Sequence, residues 1–394
     1  MKKISSLLIF SFVFFSSTSF SQNRSIEFNH SAWSEILAQA KKENKMIYVD
    51  CYTSWCGPCK WMAKNVFTND TVADFYNTNF INAKIDMEVG EGIELAKKYD
   101  IRAYPIMLFL NADGEQLHRT CGSTPVQNFV AIGKSALLPN QQLATYSKTF
   151  NSKSVDATYA FTYFSMLEKA CQSHGAELTK YFSTQKDEDL KSRNNWKIIY
   201  QYVDEYNSKP FLYLEANKES FVKLYTLDSV ETKINKVYTS GLYSAMQNKD
   251  SVGYETLKLK LKKSNTKDAD KIISEADIKK FQRKKDWVAY SSLVSDYIQK
   301  YDAANANDLN SFAWTFYENI DDKTMLLKAV AWAKKATELD DNYPYNDTYA
   351  AVLYKSGNNS EAKKFAQKAI ELAKKSGDDY KETEALLVKI NAVK

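Results

Sequence analysis

The sequence predicts an α/β domain followed by an all-α region, and three observations carry that division. Four of the six prolines, Pro58, Pro105, Pro125 and Pro139, precede residue 140, so the early chain is rich in breakers and the later chain is not. A nearly continuous apolar run from Met46 to Tyr52 leads directly into a Gly-Pro turn and a helical pattern, as a strand covered on both faces would before a helix. Near the C-terminus, the segment Trp332 to Leu339 returns 33 residues later as Phe365 to Leu372, the signature of stacked helices. The boundary between the two regions falls near Pro139-Asn140.

The composition fits that architecture and removes several function classes. The 394 residues are 44% apolar and 14% aromatic, enough to bury a sizeable core, and their number leaves room for two or three domains. The formal charge of +5 comes from 53 basic and 48 acidic residues spread along the chain, with no dense Arg block, so no nucleic acid is called for as a partner. Five cysteines are too few for a disulfide scaffold and three histidines too few for a His-rich metal site. Any cysteine chemistry must be local.

The first residues read as an export signal. Lys2 and Lys3 precede a mostly apolar stretch from Ile4 to Phe15, and Ser-rich sequence follows, ending Ser19-Phe20-Ser21-Gln22. Cleavage is expected after Ser21, giving residues 1–21 as signal peptide and a mature chain that is periplasmic in a Gram-negative cell, or extracellular where there is no outer membrane. An uncleaved anchor is the alternative, disfavoured because the apolar run is too short to span a bilayer. No later segment reaches the roughly 18 unbroken apolar residues of a membrane span, so no stable membrane insertion is expected after cleavage.

The elements follow in order. Trp33, Ile36, Leu37 and Ala40 recur at helical spacing behind Ser31, a candidate N-cap. The strand at 46–52 runs into Trp55-Cys56-Gly57-Pro58-Cys59-Lys60, and Met62, Val66 and Phe67 continue as a helix. Phe80 to Asp86 reads as a strand, Ile93 to Tyr99 as a helix, and Ile106 to Leu110 as a strand. Asn111 to Gly114 turns into a partner strand from Glu115 to Thr120, and a last helix runs from about Thr124 to Leu137. Residues 140–309 show helix-length patterns such as Trp196, Ile199, Tyr200 and Val203 without a defensible repeat. Leu257 to Lys262 alternates with period two, leaving a strand open there.

Cys56 and Cys59 carry the chemistry. Two cysteines three apart at the start of a helix can close a small disulfide ring, and the unpaired N–H groups of the first turn lower the first thiol's pKa. Cys56 is therefore the expected nucleophile. Pro58 stiffens the turn at a position where its missing N–H costs nothing. Cys59, one turn deeper, suits a resolving thiol that attacks the mixed disulfide formed by Cys56. A zinc half-site and a permanent disulfide are the alternatives, although His30, His118 and His174 are scattered and no second closely spaced Cys pair exists.

The segment from Val49 to Lys60, Val-Asp-Cys-Tyr-Thr-Ser-Trp-Cys-Gly-Pro-Cys-Lys, resembles the active-site segment of the thioredoxin family. Arg102-Ala103-Tyr104-Pro105, followed by the apolar strand and Gly114, resembles the segment bearing that family's cis-proline. The likeness runs from about Phe28 to Leu138. It implies a central mixed sheet flanked by helices over residues 22–139, and a redox-active disulfide between Cys56 and Cys59 that needs no cofactor. It further implies that Asp50, six residues before Cys56, is a buried acid able to accept the Cys59 proton. Pro105 in the cis form would offer a backbone edge to an extended substrate. Trp55, Gly57, Pro58, Tyr104, Pro105 and Cys121 are the expected substrate-binding residues.

Three departures bear on those roles. Tyr104 is bulkier than the residue that usually precedes the proline and would reshape the substrate groove. The lysine that commonly pairs with the buried acid is out of register: Asn82 falls there, with Lys84 two residues along on the same strand face. Cys121 takes the place of an apolar residue at the border of the active-site surface, where, unpaired, it would either relay a disulfide next to Cys56 or act as a small hydrophobe. Cys51 and Cys171 read as structural.

In the later region, Phe312 to Tyr317 and Thr348 to Tyr354 each precede one copy of the repeat, and the pattern resembles tetratricopeptide repeats over residues 310–394. Residues 140–309 form a helical region of no evident type. The leading expectation is an exported thiol-disulfide oxidoreductase that reduces disulfide-containing proteins, because a Gly-Pro insert resembles the reducing members of the family. Its helical half would dock partners, and a membrane electron-delivery partner is implied by the resemblance alone. The rivals are a repeat-based scaffold carrying a thioredoxin-like module, and a disulfide oxidant or isomerase.

Overall fold

A computed structural model describes residues 24–301 and 305–393; the expected signal peptide at 1–21 lies outside the described residues. The chain divides into two compact units, Met1–Tyr202 and Val203–Lys394. Among the described residues, no helix is long and apolar enough to cross a membrane.

The first unit begins with helix α1 (Trp33–Glu43), strand β1 (Met46–Tyr52), helices α2 (Gly57–Asn65) and α3 (Asp70–Asn79), and strand β2 (Phe80–Asp86). Helix α4 (Glu91–Lys98), strands β3 (Ile106–Leu110) and β4 (Gln116–Cys121) and helix α5 (Val126–Leu137) complete the α/β part. The sheet order is β2-β1-β3-β4, with β1 and β2 parallel and the other neighbours antiparallel. The expected mixed sheet flanked by helices is what forms. Every residue of β3 is buried, as the unbroken apolar run Ile-Met-Leu-Phe-Leu requires.

Alternation along β1 sorts the two cores. Ile47, Val49 and Cys51 join Ile36, Ala40, Leu95 and Leu108 on one face, under α1 and α4. Tyr48 points the other way into an aromatic core with Phe67, Tyr76, Phe80, Phe109 and Phe129, where the Tyr76 and Phe129 rings stack at 4.2 Å. The Tyr76 hydroxyl donates to the Phe129 carbonyl at 2.9 Å, which satisfies its polar end. Ser31 does not cap α1. The N-cap is Ala32, without a side-chain cap, and the Trp33 N–H donates instead to the Glu91 carboxylate at 2.9 Å, a partner from the first turn of α4 that sequence spacing does not show.

Strand β4 is the sheet edge, and the chain covers it with its own next helices. Helices α6 (Leu143–Lys153) and α7 (Ala157–Lys169) pack on β4, and α8 (Gly175–Thr184) and α9 (Arg193–Tyr202) follow. Two bonds fix this junction. The Leu143 N–H donates to His118 Nδ1 at 3.2 Å, and Cys121 at the end of β4 forms a disulfide with Cys171, just after α7. Cys121 was expected to be unpaired and is not. Its partner lies 50 residues away, and nothing local in the sequence brings the end of α7 to that edge.

Burial holds the His118 imidazole neutral, with its pKa lowered to about 4. Protonation would also remove the acceptor that Leu143 uses. Because the unfolded chain binds this proton from about pH 6.5 and the folded chain only near 4, stability is expected to fall as pH drops through that window, by about 3 kcal/mol. Thermal melts from pH 7 to 4 check this: His118→Gln, which retains an acceptor but not the titration, flattens the slope, and an equally steep variant contradicts it.

The second unit is helical throughout its described residues. It comprises α10 (Lys209–Ala216), α11 (Lys218–Leu224), α12 (Leu227–Gln247), α13 (Ser251–Lys263), α14 (Ala269–Lys284) and α15 (Trp287–Tyr301). Then come α16 (Ala306–Asn319), α17 (Lys323–Leu339), α18 (Tyr343–Ser356), α19 (Asn359–Ser376) and α20 (Lys381–Ala392). The period-two stretch at 257–262 lies inside α13. Leu257 and Leu261, four apart, are buried while Leu259 is 63% exposed, so the helical period wins over the apparent alternation. The 33-residue repeat places α17 and α19 in corresponding positions: Ala329, Ala333 and Ala336 are fully buried, as are Ala362, Ala366 and Ala369. These small residues let successive helices approach closely, and α16 to α19 pack each against the next.

Candidate active site

The site is built where β1 ends and α2 begins. Cys56 is the N-cap of α2, with extended backbone geometry (φ −68°, ψ 108°), and its sulfur accepts from the Cys59 N–H at 3.1 Å. Gly57 and Pro58 occupy the first two helical positions, and the Cys56 carbonyl accepts from Lys60 at 3.2 Å. Cys56 and Cys59 are joined as a disulfide with Cα atoms 5.3 Å apart. In this joined state both are almost fully covered, at 2% and 3% exposure. The neighbouring Trp55, 65% exposed, is the prominent surface feature.

Asp50 lies on the same face of β1 as Tyr48, the α2 side of the sheet, and is 1% exposed. The parallel register sets it opposite Lys84 of β2, whose ammonium reaches the Asp50 Oδ2 at 2.6 Å. Sequence register left the acid without its usual lysine. The structure shows that Lys84 supplies the charge, because its long side chain reaches across from a directly facing position. The Lys84 ammonium also sits over the Tyr52 ring at 4.5 Å and within 5.4 Å of the Phe28 and Phe67 rings. Burial nevertheless outweighs Lys84 and raises the Asp50 pKa. The other carboxylate oxygen, Oδ1, is buried with no hydrogen-bond partner, as is the Thr53 hydroxyl. An ionised Asp50 is thus only half satisfied, which makes its charged form less favourable than that of an exposed carboxylate.

The Tyr104-Pro105 bond is cis, and the Pro105 carbonyl accepts from the Gly122 N–H at 2.9 Å. Gly122 has φ +89°, a conformation that side-chain-bearing residues rarely adopt, so the turn after β4 depends on it. Tyr104 packs edge-on to Trp55, ring centroids 5.9 Å apart, while the Trp55 indole N–H donates to the Glu88 carboxylate at 2.9 Å. Trp55, Tyr104 and Glu88 therefore act as one platform. Glu88 was not singled out from the sequence, although the parallel pairing of Tyr52 with Asp86 brings the residues after both strands to one end of the sheet. Cys51, Ile106 and Cys121 stand side by side across β1, β3 and β4. Cys51 is buried, and burial raises its thiol pKa well above the ordinary value, as fits a structural role. Among the described residues, no group of three or more His, Cys, Asp or Glu side chains is placed to hold a metal ion.

Comparison with known proteins agrees with this geometry. Residues 29–112 match the protein family described as thioredoxin-like. They form a thioredoxin-like domain. This domain is 38% identical over 68 residues to thioredoxin-1 of Drosophila yakuba, a match that covers 17% of this chain and 59% of that protein. It is also 31% identical over 83 residues to the thiol:disulfide interchange protein DsbD of Yersinia pestis, covering 21% of this chain and 14% of that one. The solution structure of a proposed disulphide-isomerase from Bacteroides thetaiotaomicron is 43% identical, with 30% of this chain and 97% of that chain covered at a TM-score of 0.28. The chain thus spans 59% of the thioredoxin it matches, and most of its own length lies outside the thioredoxin-like domain.

Proposed function

We propose that this protein is an exported thiol-disulfide oxidoreductase that reduces disulfides in client proteins. The observation that carries the reading is the Cys56–Cys59 pair in the first turn of α2, on the same face of the sheet as a half-satisfied buried acid. In the reduced enzyme, first-turn N–H groups such as that of Cys59 stabilise a Cys56 thiolate, which attacks a client sulfur and releases the other client thiolate. Cys59 then displaces the client's second sulfur, and its proton passes to the Asp50 carboxylate, which burial makes more basic than an ordinary surface carboxylate. The Trp55-Tyr104-Glu88 platform and the Pro105 edge are where the client chain would lie. The Gly-Pro insert supports reduction as the direction, and the N-terminal segment supports export. The helical region, tetratricopeptide-like in its last helices, docks clients or an electron donor in this reading.

Turnover of insulin disulfides with dithiothreitol as donor tests it: a rate well above that of dithiothreitol alone is expected, and a rate equal to it refutes the reading. Asp50→Asn has effects of opposite sign. Because its pKa is raised in the folded state, the native protein binds more protons than the unfolded one, and Asp50 costs stability once pH exceeds the folded value. Asp50→Asn is expected to melt higher at pH 7 and yet to reduce insulin at least about tenfold more slowly, below the roughly 10²–10⁴-fold of a full general base. A variant that melts lower and turns over at the wild-type rate contradicts both assignments.

A further inference from the structure

The second disulfide lies beside the first site and is built differently from an inert staple. Cys121 pairs with Ile106, the residue after the cis-proline, and the next residue, Gly122, bonds the Pro105 carbonyl. Of the two residues it joins, Cys171 is exposed and Cys121 half-buried, unlike the fully buried Cys51. Cys121 also borders a cavity of about 620 Å³ between β4, α5 and α7. The charged side chains lining it, among the described residues, are Arg119 and Lys169; His118, also in the wall, is held neutral by burial. Cations in the same wall, Arg119 with its guanidinium on the Tyr99 carbonyl and Lys169, favour Cys121 as the thiolate and leaving group, whereas Cys171 sits just past the C-terminus of α7, where the helix dipole disfavours negative charge. The two sulfurs therefore differ in role: Cys171 is the one that can be reached, and Cys121 the one that can leave.

We propose that Cys121–Cys171 is a second redox-active disulfide that accepts electrons from the reduced Cys56/Cys59 pair, releasing the end of α7 from the sheet edge. This rests on Cys56/Cys59 being a reducing dithiol. The Cys56 thiolate attacks the Cys171 sulfur; the Cys121–Cys171 bond breaks as Cys56–Cys171 forms, and Cys121 departs as a thiolate and takes up a proton. The Cys59 thiolate, having given up its proton, then attacks Cys56, displacing Cys171 as a thiolate that is protonated in turn. Two electrons and two protons have moved: Cys56–Cys59 is oxidised to a disulfide, and Cys121 and Cys171 are thiols. The clasp that holds α7 on β4 thus opens or closes with the redox state of the active site.

The test follows thiols at individual cysteines in the full chain. Fully oxidised wild type and the Cys56→Ser/Cys59→Ser double variant are exposed to millimolar glutathione, quenched with acid, alkylated and read by peptide mass spectrometry. Thiols at Cys121 and Cys171 are expected at least tenfold faster in the wild type, after those at Cys56 and Cys59. Equal rates in the two proteins, or no thiol at Cys121 in wild type whose Cys56 and Cys59 are fully reduced, overturn the proposal. Circular dichroism establishes that the double variant is folded. Insulin turnover measured on the same wild-type sample separates the two failures: turnover without exchange defeats this proposal alone, and absence of turnover defeats the reading it rests on.

Discussion

Cys56→Ser is expected to bring disulfide reduction down to the rate of the small-molecule donor alone, while Cys59→Ser accumulates a mixed disulfide with the client. The asymmetry follows from the geometry. Cys56 is the N-cap, so its sulfur receives the Cys59 N–H of the first turn, which favours a thiolate, and serine at this position retains the cap but offers no nucleophile that ionises near neutral pH. Cys59 lies inside the helix as residue N3 and acts only after Cys56 has bonded to the client. Removing it leaves attack intact and stops release. Incubation of each variant with an oxidised client, followed by non-reducing electrophoresis, checks this: a covalent complex with Cys59→Ser and none with Cys56→Ser. The reverse pattern would mean that the roles are exchanged.

Losing the second disulfide is expected to have the largest effect on stability. Cys121 and Cys171 close a loop across 50 residues, and restricting the unfolded chain over that length contributes about 4 kcal/mol. The Cys121→Ser/Cys171→Ser variant should therefore unfold its first unit at lower denaturant under oxidising conditions. In excess reductant it should match the wild type. A midpoint unchanged by the substitutions without reductant would show that this bond does not hold the helices to the sheet edge.

The sequence made the local features legible and left the distant ones out. The strand into Cys56, the turn through Pro58 and the cis-proline segment are contiguous motifs, and the strand bounds at 46–52, 80–86 and 106–110 agree with those formed. What depends on register across the sheet was harder to see. Lys84 stands two residues past the position at which the acid's lysine is expected, yet parallel pairing sets it opposite Asp50. Glu88 carries no motif of its own and matters only because β1 and β2 end together. The Cys121–Cys171 bond needs the end of α7 to reach β4, a placement decided by how α6 and α7 cover a sheet edge. In the helical unit, six residues of alternating Leu and Lys were too few to separate a strand from a helix; the burial of Leu257 and Leu261 separates them.

The equilibrium reduction potential of the Cys56/Cys59 pair against a thiol buffer tests the central claim most directly. A reducing enzyme requires a value at or below about −230 mV, in the range of glutaredoxins and thioredoxin. A value between about −180 and −120 mV, where disulfide isomerases and oxidants lie, would contradict the assigned direction of electron flow.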